Sequence, residues 1–335
     1  MNWGSQGAML TFQSVSEAKP GDRWRALFEA YWPAYERWFL SEGVEARQTY
    51  LAGYRALKKH MPELVPTYDK LVELVGGGDV AARFLSFYCP PPYLSGCSQA
   101  VKAGDEPLLV RNYDYPPALS DAVILNSRWN DRWVTGMTDG LFGLVDGMNE
   151  AGLAVSLTFG GRTIVGDGFG VPIIIRYVLE FCRTTQEAVR ALKRIPCHMA
   201  YNVTVVDKNG RYNTVYMSPD RGTSVTDQPV ATNHQEQVEW HRHARATATV
   251  ERERFLLQRL TLHDEPADRF IAAFQKPPLY SLAYDRGFGT LYTAVYWPAR
   301  GAIEYRWPGE VWDHEVTNPS IGTRTIKFPA GAMLA

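Results

Sequence analysis

The chain has 335 residues, of which 45% are hydrophobic and 13% aromatic, enough to bury one large core or two moderate ones. Its formal net charge of −1 lacks the basic excess typical of proteins that bind nucleic acid or anionic membranes. It contains no run of about 18 apolar residues, and its start, MNWGSQGAML, lacks the features of a signal peptide. We therefore predict a cytoplasmic protein that binds neither nucleic acid nor membrane.

Four cysteines are present, at Cys89, Cys97, Cys182 and Cys197. They are too few for a disulfide scaffold in a chain of this length, and they lack the C-x-x-C spacing of zinc or redox sites. Burial as small apolar side chains is a sufficient explanation for three of them. Cys97 is the exception, because it follows Gly96 just before a strand-like run that carries charged residues. We predict no metal and no other cofactor.

The chain before Cys89 is predicted to be helical. Apolar residues recur there at intervals of three and four, namely Trp24, Leu27, Phe28, Tyr31, Tyr35, Trp38 and Phe39, followed by Tyr50, Leu51, Tyr54 and Leu57. The stretch GGGD at 76–79 opens one more short helix. The prolines of CPPPYLSG, at 89–96, exclude a helix and favour an extended linker.

After this linker the pattern changes to short strands separated by Gly, Asp, Asn or Pro, which is typical of antiparallel hairpins. Two helices follow at 171–183 and 184–195, and Thr184 with Glu187 forms a capping box at the second. The remaining predicted elements are a hairpin at 201–217 with an Asn-Gly turn, a strand at 228–234, helices at 249–262 and 267–274, and strands at 290–298 and 302–308. This order predicts an α+β protein with two sheets stacked face to face and helices outside.

The common catalytic templates are absent from the sequence. There is no G-x-S-x-G serine elbow, no phosphate-binding loop and no H-E-x-x-H zinc helix, and the seven histidines offer no obvious base for a thiol protease. A cysteine nucleophile can work without a side-chain base if the preceding peptide bond is cut, because the freed α-amine can deprotonate the thiol. Gly96 supplies the backbone flexibility that such a cleavage requires.

Arg111 and Asp114 lie three residues apart in the strand-like run VRNYDYPP. In an ideal strand they point to opposite faces, but the prolines that end the strand allow both to turn toward one end of the sheet. There the carboxylate can accept a hydrogen bond from the new ammonium group or from the thiol. The arginine can keep that carboxylate ionised and lower the thiol pKa. A purely structural ion pair between the two is the alternative.

These motifs together resemble a known family. GCSQ and RNYDY, followed by DGMNEAGLAVSLTFGG (146–161) and ATNH (231–234), resemble the N-terminal nucleophile hydrolases with a cysteine nucleophile. Among these the chain is most similar to the acyl-CoA:6-aminopenicillanate acyltransferase group, whose wider relatives include choloylglycine hydrolase, penicillin V acylase, acid ceramidase and the β-alanyl-amine hydrolases. The resemblance implies a four-layer αββα sandwich. It also implies self-cleavage between Gly96 and Cys97, with 1–96 as a helical N-terminal segment and small subunit and 97–335 as the catalytic domain.

The resemblance also implies roles for individual residues. Cys97 is the nucleophile and, after cleavage, its α-amine is the base, with Arg111 and Asp114 orienting both. The side chain of Asn233 and a backbone N–H near Thr158 form the oxyanion hole, although many relatives carry Asn at the second place. A second arginine is expected in the C-terminal third, and Arg286 is our choice over its competitors Arg252 and Arg254.

The aromatic residues Tyr113, Tyr115 and Phe159 are candidates to line an acyl pocket, although aromatic residues in strands more often belong to the core. The predicted enzyme cleaves a linear amide through a Cys97 thioester and passes the acyl group to water or an amine. Its expected partners are a small-molecule amide or acyl donor and its own cleaved N-terminal segment. Association of several copies into a homo-oligomer is left open.

Two other functions fit the same sequence. An unprocessed relative that only binds ligands would keep the fold without the reaction. A metal-dependent hydrolase would use His234, His241 and His243, but no carboxylate or cysteine completes a ligand set nearby in the sequence.

Overall fold

A computed structural model describes residues 9–262, 264–286 and 289–329 of the chain. The strands are β1 (Met9–Glu17), β2 (Gly96–Lys102), β3 (Leu108–Asp114), β4 (Val123–Ser127), β5 (Val134–Asp139), β6 (Gly143–Asn149), β7 (Leu153–Phe159), β8 (Tyr201–Asp207), β9 (Tyr212–Met217), β10 (Ser224–Thr226), β11 (Val230–Ala231), β12 (Thr290–Trp297), β13 (Ala302–Trp307), β14 (Glu310–Glu315) and β15 (Gly322–Lys327).

The α-helices are α1 (Asp22–Phe39), α2 (Tyr50–His60), α3 (Val65–Leu74), α4 (Asp79–Leu85), α5 (Val171–Phe181), α6 (Thr185–Arg194), α7 (His241–Ala246), α8 (Thr249–Leu260) and α9 (Ala267–Ala273). Short 3₁₀ turns occupy Val44–Ala46, Pro62–Leu64, Pro117–Leu119 and Tyr284–Arg286. Among the helices of the described residues, none is long and apolar enough to cross a membrane.

The strands form two sheets. The nine-stranded sheet has the order β10-β9-β8-β7-β6-β5-β4-β1-β15, and the six-stranded sheet has the order β11-β2-β3-β12-β13-β14. Neighbouring strands are antiparallel except β1 and β4, which are parallel. The two sheets face each other, because Gln99 of β2 hydrogen-bonds Thr204 of β8 at 2.7 Å and accepts from Ser156 of β7 at 2.5 Å.

Helices cover both outer faces of this sandwich. On the large sheet, α5 lies so close to β6 that a Cβ atom on Gly143 would come within 2.3 Å of Pro172. On the small sheet, Ala100 and Val110 pack with Phe270 and Leu256 in a second hydrophobic cluster. Successive side chains of β2 and β3 point to opposite faces of the small sheet, so one set faces the large sheet and the other set packs against the outer helices. The predicted α+β class and the four-layer αββα arrangement are confirmed.

The first 96 residues differ from the predicted helical segment. Helices α1 to α4 are present, but the described part of the segment begins with β1, which lies between β4 and β15 in the large sheet. Only Phe12 and Ser14 of this strand are buried, so its sequence MLTFQSVSE has little apolar alternation to predict it. Any cleavage after Gly96 would therefore leave a sheet shared between both fragments.

Other predicted elements are largely confirmed, with local differences. The helices predicted at 249–262 and 267–274 correspond to α8 and α9, and the hairpin predicted at 201–217 corresponds to β8 and β9. The strand predicted at 228–234 is reduced to β11, because only Val230 and Ala231 pair with β2. Strands β14 and β15 near the C-terminus were not predicted.

Candidate active site

Cys97 lies at the start of β2, on the face of the small sheet that points toward the large sheet. Its side chain is fully buried, and its Sγ is 3.4 Å from Nη2 of Arg111 and 3.7 Å from Oγ of Ser95. Burial raises the pKa of the Cys97 thiol, whereas the Arg111 guanidinium lowers it. The uncut chain therefore holds the thiol in a site that disfavours its ionisation, with one cation placed to stabilise the thiolate.

Arg111 is paired with Asp146, not with Asp114 as predicted. Both residues are completely buried, and the ion pair joins β3 of the small sheet to β6 of the large sheet. Asp146 also accepts hydrogen bonds from the hydroxyls of Tyr292 at 2.7 Å and Tyr296 at 2.5 Å. Asp146 is the first residue of the motif DGMNEAGL. The sequence alone did not predict its role, because none of its neighbours in the chain indicates which arginine it pairs with.

Asp114 points to the opposite face of the small sheet, as the three-residue offset from Arg111 requires. It accepts a hydrogen bond from Thr290 Oγ1 at 2.7 Å and lies 3.7 Å from Nη1 of Arg252. Burial raises the pKa of the Asp114 carboxyl, and Arg252 and Thr290 oppose that rise. Asp114 thus belongs to the site through Arg252, and its predicted pairing with Arg111 is corrected.

Arg252 of α8, and not Arg286, is the second arginine near Cys97. Its Nη1 donates to the backbone oxygen of Cys97 at 2.6 Å and to Ser98 Oγ at 2.7 Å, and its Nη2 donates to Asn233 Oδ1 at 2.6 Å. Arg252 is 3% exposed, whereas Arg286 is exposed at the end of the 3₁₀ turn Tyr284–Arg286. Helix α8 packs under β2, which brings Arg252 beneath the backbone of Cys97.

Asn233 lies just beyond β11, against the Gly96–Cys97 bond. Its Oδ1 accepts from the backbone N–H of Cys97 at 3.1 Å, while its Nδ2 donates to the carbonyls of Phe159 at 3.2 Å and Ser95 at 3.4 Å. The side chain therefore touches the chain on both sides of the predicted cleavage point. Gly161, with φ of +69°, allows this approach, since a Cβ atom there would lie 2.3 Å from the Asn233 carbonyl oxygen.

The Thr158 side chain supports this loop, and its hydrogen bonds are to Thr232 and Asn202 and not to Cys97. Its Oγ1 donates to the Thr232 carbonyl at 2.7 Å and accepts from Asn202 Nδ2 at 3.0 Å. The residue-by-residue pairing of β7 with β6 runs from Ala154 to Ser156, so Thr158 lies past the end of that ladder. A backbone N–H near Thr158 as oxyanion donor remains a prediction.

The three aromatic residues predicted to line an acyl pocket occupy different surroundings. Tyr113 stacks on Tyr115 with ring centroids 5.4 Å apart, and the Arg111 guanidinium lies 4.6 Å from the centre of the Tyr113 ring. Tyr115 lines a cavity between α1, the linker before Cys97 and the end of β3. Phe159 is fully buried against Tyr201 at 6.0 Å, so its side chain belongs to the core and its backbone carbonyl contacts Asn233.

The histidines of the metal hypothesis do not form a ligand set. His234 Nε2 pairs with Glu253 at 3.2 Å, and the ring of His243 stacks on Trp240 at 4.9 Å. The stretch HRHARA at 241–246, which contains His241 and His243, forms the short helix α7. Within residues 9–262, 264–286 and 289–329, no group of three or more His, Cys, Asp or Glu side chains could hold a metal ion.

Comparison with known proteins identifies the family. A model of the acyl-coenzyme A:6-aminopenicillanic acid acyl-transferase family matches residues 101–312, which is more than half of the chain. The chain belongs to this family. The match includes Arg111, Asp114, Asp146, Asn233 and Arg252. The match begins after Gly96 and Cys97, so the matched residues do not include the candidate nucleophile.

Solved structures similar to this acyl-transferase family member are distant in sequence. Penicillin V acylase from Agrobacterium tumefaciens is 14% identical, with a TM-score of 0.49 over 71% of this chain and 94% of that one. A mutant of conjugated bile acid hydrolase from Clostridium perfringens is 16% identical, with a TM-score of 0.41 over 71% and 99%. The Caenorhabditis elegans ortholog of N-acylethanolamine-hydrolyzing acid amidase is 17% identical, with a TM-score of 0.45 over 61% and 93%. No curated protein matches the chain.

Proposed function

We propose that this protein is a self-cleaving cysteine amidohydrolase or acyltransferase. It cuts a linear amide through a thioester on Cys97 and passes the acyl group to water or to an amine. The observation that carries the proposal is the convergence of Arg111, Asn233 and Arg252 on the thiol and backbone of Cys97. Membership of an acyl-transferase family supports acyl chemistry at this site.

Activation begins with the Cys97 thiol and the carbonyl carbon of Gly96. The sulfur attacks that carbon, the C–N bond between Gly96 and Cys97 breaks, and the thiol proton passes to the Cys97 nitrogen. Water then hydrolyses the resulting thioester, which releases Gly96 as a carboxylate and restores the thiol. The product is a free α-amine on Cys97, with a reference pKa of about 7.7–8.0, which suits a base at neutral pH.

In turnover this amine takes the thiol proton, and the thiolate attacks the substrate carbonyl. Arg111 stabilises the thiolate, since its Nη2 is within 3.4 Å of Sγ. Asn233 Oδ1 and Arg252 hold the Cys97 nitrogen and carbonyl in place. The protonated amine then donates its proton to the departing amine of the substrate. Water or an acceptor amine attacks the thioester and regenerates the thiol.

Asn233 supplies the oxyanion contact after cleavage. In the uncut chain its Nδ2 is occupied by the carbonyls of Phe159 and Ser95. When the new terminus at Gly96 withdraws together with Ser95, one of these acceptors leaves. The freed N–H can then bond the negative oxygen that develops on the substrate carbonyl.

Intact-mass spectrometry of the purified protein tests the proposal, together with turnover of a panel of acyl amides. Wild-type protein should separate into fragments 1–96 and 97–335 under denaturing conditions, whereas Cys97→Ala should remain a single chain of 37.7 kDa. Cys197→Ala is the matched control, because it removes another buried cysteine and should leave cleavage intact. An active sample that keeps the Gly96–Cys97 bond would contradict the use of the α-amine as base, and an uncut inactive chain would favour a binding protein.

A further inference from the structure

Self-cleavage and substrate turnover need different carriers for the thiol proton of Cys97. In turnover the free α-amine of Cys97 takes that proton. In the uncut chain the same nitrogen belongs to the Gly96–Cys97 amide, which is not a base. The proton must still leave the sulfur and reach this nitrogen before the C–N bond can break, so cleavage needs a carrier that is already present in the uncut chain.

A direct transfer of the proton from sulfur to nitrogen has poor geometry. Both atoms belong to Cys97, so the path between them closes a small ring through Cβ and Cα. Hydrogen bonds prefer a nearly linear arrangement and weaken steeply below about 120°. A hydroxyl that accepts from the sulfur and donates to the nitrogen enlarges the ring, and both hydrogen bonds can then be close to linear.

Within the described part of the chain, the side chains that contact the Cys97 sulfur as hydrogen-bond partners are Arg111 and Ser95. Nη2 of Arg111 is 3.4 Å from the sulfur, and the hydroxyl oxygen of Ser95 is 3.7 Å from it. A guanidinium stays protonated in proteins and has no acceptor, so it cannot take the thiol proton. A hydroxyl both accepts and donates. Ser95 therefore has the chemistry that a proton relay requires.

The fold holds Ser95 beside the bond that breaks. Ser95 is 2% exposed, and its backbone carbonyl accepts from Nδ2 of Asn233 at 3.4 Å. Oδ1 of the same Asn233 accepts from the N–H of Cys97 at 3.1 Å, so one side chain fixes the residues on both sides of Gly96. Among the described residues the Ser95 hydroxyl has no hydrogen-bond partner besides the sulfur, and its own proton is free to be donated.

The state of the thiol in the uncut chain suits a neutral relay. Burial raises the pKa of the Cys97 thiol, so the sulfur carries its proton at neutral pH. Because the thiolate is the nucleophile, attack on the Gly96 carbonyl must be coupled to loss of this proton. A hydroxyl moves the proton without creating a further buried charge, which would be costly. Arg111 stabilises the negative charge that develops on the sulfur.

We propose that Ser95 is a catalytic residue of self-cleavage, whose hydroxyl relays the thiol proton of Cys97 to the Cys97 nitrogen. As the sulfur bonds to the Gly96 carbonyl carbon, Ser95 Oγ takes the proton from the sulfur and gives its own proton to the nitrogen. The C–N bond breaks, the thioester forms and the Ser95 hydroxyl is regenerated. Ser95 then belongs to the other fragment, and the α-amine is the base in turnover. The assignment rests on the proposed function, because it names the proton carrier of its first step.

The rate of self-cleavage tests the relay. Pulse-labelled cell-free synthesis of the full chain, followed by transfer to buffers from pH 6 to pH 8, measures cleavage as the appearance of fragments 1–96 and 97–335. Ser95→Ala should cleave roughly 10²-fold more slowly than wild type at pH 7, and Ser95→Thr, which keeps a hydroxyl, should recover most of the rate. Ser86→Ala is the matched control and should cleave at the wild-type rate, because Ser86 is another buried serine of the N-terminal segment and its hydroxyl donates to the Arg83 carbonyl at 2.6 Å.

The pH dependence of cleavage separates a relay from a packing effect. With the relay the protonated thiol reacts, so the wild-type rate should change little from pH 6 to pH 8. Without it the thiol must first lose its proton to solvent, so the rate of Ser95→Ala should rise about tenfold per pH unit. The titratable groups that act on the thiol are present in both proteins and cancel in this comparison. They are Arg111, Tyr113 and Asp114 of β3 and Arg252 of α8.

The possible outcomes distinguish the relay from the proposed function. A wild-type cleavage rate in Ser95→Ala would overturn the relay and leave the proposed function intact, whereas a wild-type chain that never cleaves would overturn both. Folding is compared in uncut chains, where Ser95→Ala combined with Cys97→Ala should melt at the same temperature as Cys97→Ala alone. A lower melting temperature, together with pH profiles of Ser95→Ala and wild type that run parallel, would limit Ser95 to a packing role and overturn the relay.

Discussion

Arg111 and Asp146 form an ion pair that is completely buried between the two sheets, beside the Cys97 thiol. The Asp146 carboxylate also accepts hydrogen bonds from the hydroxyls of Tyr292 and Tyr296, so both of its oxygens have donors. Such a pair is costly to form from hydrated ions, but removal of one partner leaves an uncompensated buried charge. Asp146 therefore determines where the Arg111 guanidinium lies relative to the sulfur.

Asp146→Asn should lower the free energy of unfolding by about 3–5 kcal/mol and slow self-cleavage. Urea unfolding and the time course of fragment appearance measure the two effects. Asp79→Asn is a suitable control, because the Asp79 side chain is 56% exposed in its pair with Arg83 on α4 and its loss should change stability by less than about 1 kcal/mol. Asp146→Glu keeps the charge and should recover part of the cleavage rate. Wild-type cleavage in Asp146→Asn would show that Arg111 needs no such partner.

Arg252 and Arg286 allow a direct comparison of two arginines. Arg252→Gln removes donors from the Cys97 carbonyl, Ser98 and Asn233, so cleavage at Gly96–Cys97 should be strongly slowed. Arg286→Gln changes an exposed side chain and should cleave at the wild-type rate. Gel densitometry over time measures both. Comparable cleavage rates for the two variants would show that cleavage does not depend on Arg252.

Asn233→Ala should lower kcat by roughly 10² to 10³ with little change in KM, since the side-chain donor is needed for the developing oxyanion. The kinetics require fully cleaved protein, because cleavage passes through a similar tetrahedral state. Asn233→Asp separates the two ends of the side chain: it retains an acceptor for Arg252 and loses the N–H donor. It should therefore resemble Asn233→Ala in kcat. A raised KM with unchanged kcat would mean that Asn233 only holds substrate.

Ionisation of Asp139 should make the free energy of unfolding depend on pH. Burial and Asp121 raise its pKa to about 7 in the folded protein, whereas an unfolded aspartate titrates near about 3.9. Between these values the folded state holds the proton more tightly, so its ionisation destabilises the fold as pH rises. Asp139→Asn should be more stable than wild type at pH 8, and the gain should disappear as pH falls to about 4.

Melting temperatures of both proteins from pH 4 to pH 8 measure this difference. Asp121, Tyr35 and Arg111 also face Asp139 electrostatically, and Asp121 and Tyr35 have raised pKa values of their own, so the expected signal is the difference between the curves. Parallel curves would mean that Asp139 is ionised at ordinary cost in the fold.

The local sequence pattern predicted many of the helices and strands of this protein. Apolar spacing of three and four predicted α1 and α2, and turn residues between short apolar runs predicted the hairpins of both sheets. Strand alternation places Arg111 and Asp114 on opposite faces, and the prediction that both turn toward one end of the sheet was wrong, because Arg111 pairs with Asp146 and Asp114 lies beside Arg252. The pairing of Gly96 with Cys97, followed by a charged strand, was enough to propose Cys97 as the nucleophile, which stays a prediction. These features depend on neighbours in the chain, so they can be read from the sequence.

Only the tertiary structure decided which distant groups meet. Asp146 reaches Arg111 because the two sheets stack at one particular offset, and Arg252 reaches Cys97 because α8 packs beneath β2. Strand β1 gains its place from pairing with β4 and β15, since its own side chains give only a weak apolar signal. The free energy that selects these contacts comes from burial of the whole core, and no single segment carries it.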